Sequence, residues 1–119
     1  MQTRIVLAIA LAAAAAAATA TTAAPATAAV LPCGTATAAG KTWHVQAAGV
    51  RCVTARGIVR RVAVRKPDRV IHRAGGEVDA FATSFSGLRC SRSQKPRVGG
   101  AINCTSADGK RSVEALYRG

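Results

Sequence analysis

Apolar and polar residues alternate along residues 42–48. The apolar positions are Trp43, Val45 and Ala47, and polar residues fall between them. A period of two, with an aromatic and a β-branched residue among the apolar positions, is typical of a strand with one buried face. We therefore predict a strand here, at the edge of a sheet.

Residues 52–66 repeat their apolar positions with helical spacing instead. At about 100° per residue, six apolar side chains fall within one arc roughly 140° wide. These side chains belong to Cys52, Ala55, Ile58, Val59, Val62 and Ala63. The pattern predicts an amphipathic helix that ends before Pro67, since proline cannot continue a helix. Its last turns carry Arg60, Arg61, Arg65 and Lys66. Basic side chains there are expected to complement the negative end of the helix dipole.

Three further strands are predicted in the last third of the chain. They cover residues 88–92, 101–105 and 110–118, with turn-forming residues between them. Gly99-Gly100 lies in the first connection, and the second contains Asp108-Gly109, which is a strong hairpin signal.

The two hairpins agree on one buried face. Centring the first hairpin near Arg97 pairs Cys90 with Cys104, and centring the second on the Asp-Gly signal pairs Cys104 with Val113. Both registers turn the same side chains inward: Leu88, Cys90, Ile102, Cys104, Val113, Ala115 and Tyr117. A slip of one residue would turn every side chain to the other face, so this agreement is informative.

Together these elements predict an α+β fold. One amphipathic helix would pack on a small antiparallel sheet of three or four strands, stapled by disulfides. Residues 68–86 show no clear periodicity: Ala74-Gly75-Gly76 marks a turn, and residues 78–85 form either a weak strand or an irregular loop. The domain is expected to span residues 42–119, after an Ala/Thr-rich flexible segment at residues 29–41.

The beginning of the chain carries an export signal. Arg4 precedes an apolar run at residues 5–18, and small residues with A-x-A cleavage options follow. These are the parts of a secretory signal peptide. The apolar run is shorter than the roughly 20 residues of a bilayer span. We therefore expect residues 1–28 to be removed, leaving a secreted or envelope-associated protein without a stable transmembrane span.

Export makes the four cysteines candidates for disulfides. Four cysteines allow three pairings. The hairpin register favours Cys90–Cys104, which leaves Cys33–Cys52 to join the N-terminal segment to the start of the helix. No C-x-x-C pair is present, which argues against a zinc site and against a redox pair. No metal and no cofactor are expected.

Catalytic constellations are also missing from the sequence. The two histidines, His44 and His72, have ordinary surface interpretations. The chain has no G-x-S-x-G, H-E-x-x-H or P-loop spacing. We therefore expect a protein that is not an enzyme.

The charge of the chain points to anionic partners. Seventeen Lys and Arg residues stand against five Asp and Glu residues, a net charge of +12. The candidate anion-binding residues are Arg56, Arg60 and Arg61 on the predicted helix. An anionic envelope polymer or an acidic protein is the expected partner. Specific nucleic-acid binding is not expected, because the chain has only four aromatic residues to stack on bases.

Two alternatives stay open. The arginine excess is also what a GC-rich coding sequence would produce, in which case the charge serves no partner. The connection at residues 93–100 could instead present a protein-binding or inhibitory loop, since loops on stapled scaffolds are preorganised for binding.

Two segments resemble a recurrent pattern in known sequences. They are Gly49-Val50-Arg51-Cys52-Val53-Thr54-Ala55-Arg56 and Gly87-Leu88-Arg89-Cys90, the latter with its Cys104 hairpin. The pattern is similar to that of small exported, disulfide-containing proteins of unknown function from high-GC, actinobacterial-type bacteria. The resemblance implies a helix packed on a small antiparallel sheet, and it brings no active site with it.

Overall fold

The computed structural model of this chain describes residues 29–95 and 98–118. Within these residues, a seven-stranded sheet carries one α-helix on one of its faces. The predicted signal peptide, residues 1–28, lies outside the described residues.

The sheet is antiparallel throughout, with strand order β1-β2-β7-β6-β5-β4-β3. Its strands are β1 (Leu31–Ala38), β2 (Lys41–Ala48), β3 (Arg69–Arg73), β4 (Gly76–Ala80), β5 (Arg89–Lys95), β6 (Gly99–Thr105) and β7 (Ser112–Arg118). The helix α1 (Cys52–Val64) connects β2 to β3. The sheet therefore has β1 and β3 as its edges.

The predicted helix and its buried face are confirmed. Five residues of the predicted stripe are buried: Ala55, Ile58, Val59, Val62 and Ala63. The helix ends at Val64, two residues before the predicted end, and Arg65 is already extended. At the other end, Arg51 occupies the N-cap position without a side-chain hydrogen bond to the helix.

The register predicted for the last three strands is confirmed as well. Cys90 pairs with Cys104, and Cys104 pairs with Val113. All seven side chains assigned to the inner face are buried. The structure joins Cys90 to Cys104 and Cys33 to Cys52, which are the two disulfides favoured by the sequence.

The predicted sheet of three or four strands is wrong, because the sheet has seven. One missing strand, β1, lies in the segment expected to be a flexible tether at residues 29–41. Cys33 and Ala36 are its buried residues. Small Ala, Thr and Gly residues give such a strand little contrast between its faces, so its pattern looks like that of a linker. Because β1 pairs with β2, β2 lies inside the sheet instead of at its edge.

The hairpin of β3 and β4 was missed for a different reason. Four of the five residues of β3 are exposed, and Ile71 is half-buried. A strand at the edge of a sheet with little burial on either face has no hydrophobic alternation to detect. The turn at Ala74-Gly75 and the weak strand considered at residues 78–85 were the traces of this hairpin in the sequence.

The core lies between α1 and the inner face of the sheet. Trp43 and Tyr117 pack edge to face there, with ring centroids 4.5 Å apart. Phe81 and Phe85, from the connection between β4 and β5, extend the core under the C-terminal half of α1. Within the described part of the chain, no helix or strand covers the opposite face of the sheet.

Candidate anion-binding cleft

The three arginines predicted to bind anions do not act together. Arg56 is half-buried, and its Nη1 donates a hydrogen bond of 2.9 Å to the carbonyl oxygen of Cys33. This bond joins α1 to β1 beside the Cys33–Cys52 disulfide. Arg56 therefore has a structural position and is not a free surface cation.

Arg60 and Arg61 point to different surroundings. Arg60 is exposed on α1, and it does not line a cavity with Arg61. Arg61 lines an open cleft of about 530 Å³ between the C-terminal half of α1 and the connection that follows β4. The lining residues are Arg61, Val64, Arg65, Lys66, Thr83, Ser84 and Phe85. We call this depression the α1 cleft.

A buried aromatic ring positions two of the cleft arginines. The guanidinium carbons of Arg61 and Arg65 lie 6.0 and 5.9 Å from the centroid of the Phe85 ring. Phe85 is itself held edge to face against Phe81, at a centroid distance of 5.8 Å. Cations at about 6 Å from an aromatic face are attracted by its quadrupole. The ring therefore restrains both guanidinium groups at the wall of the cleft.

Arg61 is restrained further by hydrogen bonds. Its Nη2 donates to Ser86 Oγ at 3.3 Å, and its Nε donates to the Gly57 carbonyl at 3.4 Å. The bond to Ser86 joins α1 to the turn before β5, and the bond to Gly57 lies within α1. A positioned arginine loses less conformational entropy on binding than a free one.

The α1 cleft concentrates positive charge without a matching acid. Its lining contains two arginines and one lysine, and it contains no Asp or Glu. The guanidinium groups of Arg61 and Arg65 lie near the same ring, so their like charges repel each other. A bound anion would remove this repulsion and would be attracted by all three cations.

The nearby carboxylates are engaged elsewhere. Asp68 Oδ2 accepts a hydrogen bond of 2.8 Å from the backbone N–H of Ala82. Asp79 forms a salt bridge of 2.8 Å with Arg92. Neither acid lines the cleft.

Arg92, which sequence reasoning did not single out, binds the end of α1. This side chain is buried, and its Nη1 donates to the carbonyl oxygens of Val62, Ala63 and Arg65 at 2.6, 3.1 and 3.0 Å. Its Nε donates to Asp79 Oδ2 at 2.8 Å. The basic residues of the last turns were expected to complement the helix dipole, but an arginine from β5 does so. The cations of the α1 cleft are therefore not bound to these carbonyls.

A signal for Arg92 was present in the strand register. Arg92 lies two residues after Cys90, so it belongs to the face predicted to be buried. Buried arginines are rare unless their charge is paired. An arginine at an inward position therefore predicts carboxylate and carbonyl partners on neighbouring elements.

The connection proposed to present an inhibitory site is short. Residues 93–95 belong to β5, and Gly99 and Gly100 belong to β6. Pro96 and Arg97 lie outside the described residues. The described part of this segment is thus mainly paired strand, and Val98 N–H donates to the Lys95 carbonyl at 3.0 Å.

Residues 29–95 and 98–118 lack two further features. No group of three or more His, Cys, Asp or Glu side chains is placed to hold a metal ion there. In the same residues, no helix is long and apolar enough to cross a membrane.

Comparisons of the chain with protein-family models, with curated proteins and with solved structures find no match.

Proposed function

We propose that this protein is an exported, non-enzymatic module that binds a linear polyanion of the cell envelope through the α1 cleft. The observation that carries the proposal is the set of three cations in one cleft whose lining contains no acid. Two of these cations are held on the ring of Phe85. This grouping favours a binding surface over an arginine excess produced by base composition alone.

The side chains of the cleft suit phosphate or carboxylate groups. A guanidinium group presents a planar fork of N–H donors that matches both groups in a bidentate manner. The hydroxyls of Thr83 and Ser84 lie in the same lining and offer additional donors. Because the cleft is open, a polymer that repeats its charge suits it better than a small ion that must be enclosed.

The covalent structure supports an extracytoplasmic setting. All four cysteines are in disulfides. Disulfides persist in oxidising compartments and are rare in the cytosol. Together with the signal-peptide pattern at residues 1–28, this favours a protein that meets the polymers of its own cell envelope.

Retention of the secreted, oxidised protein on its own cell envelopes tests this function. The cleft variant carries Arg61→Gln, Arg65→Gln and Lys66→Gln. The control variant carries Arg51→Gln, Arg69→Gln and Lys110→Gln, which removes the same charge from exposed positions outside the cleft. We expect the cleft variant to lose at least tenfold in retention and the control to lose less than threefold.

Circular dichroism and a non-reduced peptide map confirm that both variants are folded and oxidised. Equal losses in the two variants would show that net charge alone causes retention, and the proposed site would be wrong. Full retention of the cleft variant would have the same meaning. Absence of any retention at low salt would contradict the proposed function itself.

A further inference from the structure

A second cationic surface lies on the face of the sheet opposite α1. Lys95 pairs with Gly99, and Gly99 pairs with Arg118. At the other end, Arg73 pairs with Gly76. A Cβ atom placed on Gly76 would lie 3.7 Å from Lys95 Cγ, so these two residues are neighbours as well. A single row thus crosses five strands, with cations on alternate strands and glycines between them.

We call Arg73, Lys95 and Arg118 the cationic row. Neighbouring strands are about 4.8 Å apart, so successive cations of the row start from backbone positions roughly 10 Å apart. The stem of the Lys95 side chain lies over Gly76, and Gly99 separates Lys95 from Arg118. Gly99 has a φ of +139°, and a Cβ atom there would overlap the carbonyl oxygen of Tyr117. The gap at this position is therefore imposed by the fold.

Alternation along β7 places the row on the uncovered face. Ala115 and Tyr117 are buried towards α1, whereas Leu116 and Arg118 are exposed on the other side. Arg73 and Lys95 are exposed too. The row and the α1 cleft therefore lie on opposite faces of the molecule.

The charge of the row is not neutralised by neighbouring side chains. Among the described residues, none of its three cations takes part in a salt bridge. The acid that shares this face, Glu114, is four residues from Arg118 along β7, which is about 13 Å in a strand. A partner that brings negative charge would neutralise the row.

The surface around Arg118 is concave. Two depressions of about 740 and 310 Å³ lie on either side of β7, and both are lined by Leu116, Tyr117 and Arg118. Lys41 lines the larger depression and Lys95 the smaller one, and neither lining contains an acid. An extended chain that crosses β7 would meet a cation on each side.

We infer that the cationic row binds a second chain of the polyanion, so that one protein molecule bridges two polymer chains. This inference rests on the function proposed above. Charge complementarity selects the occupant: the row and the α1 cleft each group three cations, none of which takes part in a salt bridge among the described residues, and both surfaces suit repeated phosphate or carboxylate groups. Because the two surfaces face away from each other, a short chain bound to one does not reach the other.

Two measurements with polyphosphate test the inference. Analytical ultracentrifugation with a short, fluorescently labelled polyphosphate counts the chains bound to each protein molecule. Light scattering with long-chain polyphosphate measures bridging. The wild-type protein should bind two short chains. It should cluster the long chains at intermediate molar ratios of protein to polymer.

Variants separate the two surfaces. The row variant, with Arg73→Gln, Lys95→Gln and Arg118→Gln, should bind one short chain and should lose at least tenfold in scattering. The cleft variant should also bind one short chain. The control with Arg51→Gln, Arg69→Gln and Lys110→Gln should still bind two chains and cluster the long polymer.

The possible failures are distinguishable. A wild-type protein that binds one short chain, with binding lost in the cleft variant, would overturn the bridging inference and leave the proposed function in place. A row variant that clusters polyphosphate as well as the wild type would also overturn it. Clustering of vesicles that contain anionic lipid, without clustering of polyphosphate, would assign the row to a lipid surface instead. Absence of binding to any polyanion would contradict the proposed function.

Discussion

At the scale of single residues, Arg92 connects three parts of the fold. Its guanidinium group bonds three carbonyls at the end of α1 and the carboxylate of Asp79 on β4, and it lies 5.2 Å from the centroid of the Phe81 ring. A buried cation with a full set of partners leaves all of them unpaired when it is removed.

We predict that Arg92→Met destabilises the protein by about 3–5 kcal/mol, because Asp79 and the helix carbonyls lose their partner in a largely dry environment. Urea unfolding monitored by circular dichroism measures the change. Arg89→Met, three residues earlier on the exposed face of the same strand, should stay within about 0.5 kcal/mol of the wild type. Equal unfolding midpoints for the two variants would contradict the structural role of Arg92.

Two glycines provide a second prediction, in which replacement by alanine changes the stability of the protein in opposite directions. A Cβ atom on Gly100 would overlap the ring of Tyr117, whereas a Cβ atom on Gly57 of α1 would meet nothing within 4 Å. We expect Gly100→Ala to destabilise the protein by about 1–3 kcal/mol through overpacking. Gly57→Ala should stabilise it by up to about 1 kcal/mol through helix propensity. Thermal unfolding of both variants checks the pair, and stabilisation by Gly100→Ala would contradict the packing described for Tyr117.

Asp108 gives the third prediction, which concerns pH. A hydrogen bond from Ser106 Oγ at 2.6 Å and another from the Lys110 N–H at 2.9 Å lower the pKa of the Asp108 carboxyl below its ordinary value of 3.8. Because the pKa is lower in the folded state, the ionised Asp108 carboxylate stabilises the folded protein at neutral pH. This stabilisation is lost as the pH falls from the ordinary value through the lowered one.

Carboxyl carbon shifts followed by NMR measure this pKa in the folded protein. The reference is the same aspartate in a peptide of residues 104–113. Ser106→Ala should raise the pKa towards the peptide value, because it removes the stronger of the two hydrogen bonds. A folded pKa at or above the peptide value would show that the turn does not hold the ionised carboxylate.

At the scale of elements, the sequence predicts those whose two faces differ in burial. Helix α1 and strands β2, β5, β6 and β7 alternate clearly between core and solvent. The two predicted hairpin registers, which share Cys104, also determined how β5, β6 and β7 pair. Strand β1 has Ala36 where a larger residue would have revealed a buried face, and β3 is exposed along most of its length. Such strands form because they pair with a neighbouring strand. The hydrophobic pattern of a single sequence gives no signal for that pairing.

The turn between β1 and β2 provides a prediction at this scale. Its central residues, Ala39 and Gly40, have φ values of +54° and +72°. Two-residue hairpins with positive φ at both positions favour Asn-Gly, and alanine is strained there. Ala39→Asn should therefore stabilise the protein by about 1 kcal/mol.

Thermal unfolding measures this gain, and the other hairpin offers a matched control. Ala74 lies in the β3–β4 turn and does not have a positive φ. Ala74→Asn should therefore give no comparable gain. If both variants were equally stabilised, the benefit would come from asparagine as a turn residue in general and not from the strained φ of Ala39.

At the scale of the whole molecule, the sequence predicts the excess of positive charge but not its distribution. Arg56 and Arg61 lie on the same helix, yet one bonds the Cys33 carbonyl and the other faces the α1 cleft. The difference depends on β1, which the sequence did not reveal, and on Phe85, which lay in the stretch without periodicity. Arg65 and Lys66 line the cleft, whereas Arg92 from β5 binds the carbonyls at the end of the helix.

The two-layer architecture places two groups of exposed cations on opposite faces of the molecule. The helix layer carries the α1 cleft, and the open face of the sheet carries the cationic row. This separation makes it possible to remove either set without disturbing the core, since the side chains concerned are exposed. Variants can therefore change the charge of one surface while the net charge of the protein is matched by a control.

The salt dependence of binding tests the central claim, that the α1 cleft holds a polyanion, most directly. We would measure the affinity for a short labelled polyphosphate between about 50 and 200 mM salt, where released counterions set the slope of log K against log[salt]. All proteins compared would also carry the row substitutions, so that the α1 cleft is the site measured. The cleft variant should show a slope smaller by about 2, since each of its three missing contacts contributes about 0.7. The control variant with the same net charge should keep the wild-type slope. Equal slopes for the cleft variant and the control would contradict the account, because the arginines would then act only through the overall charge of the protein.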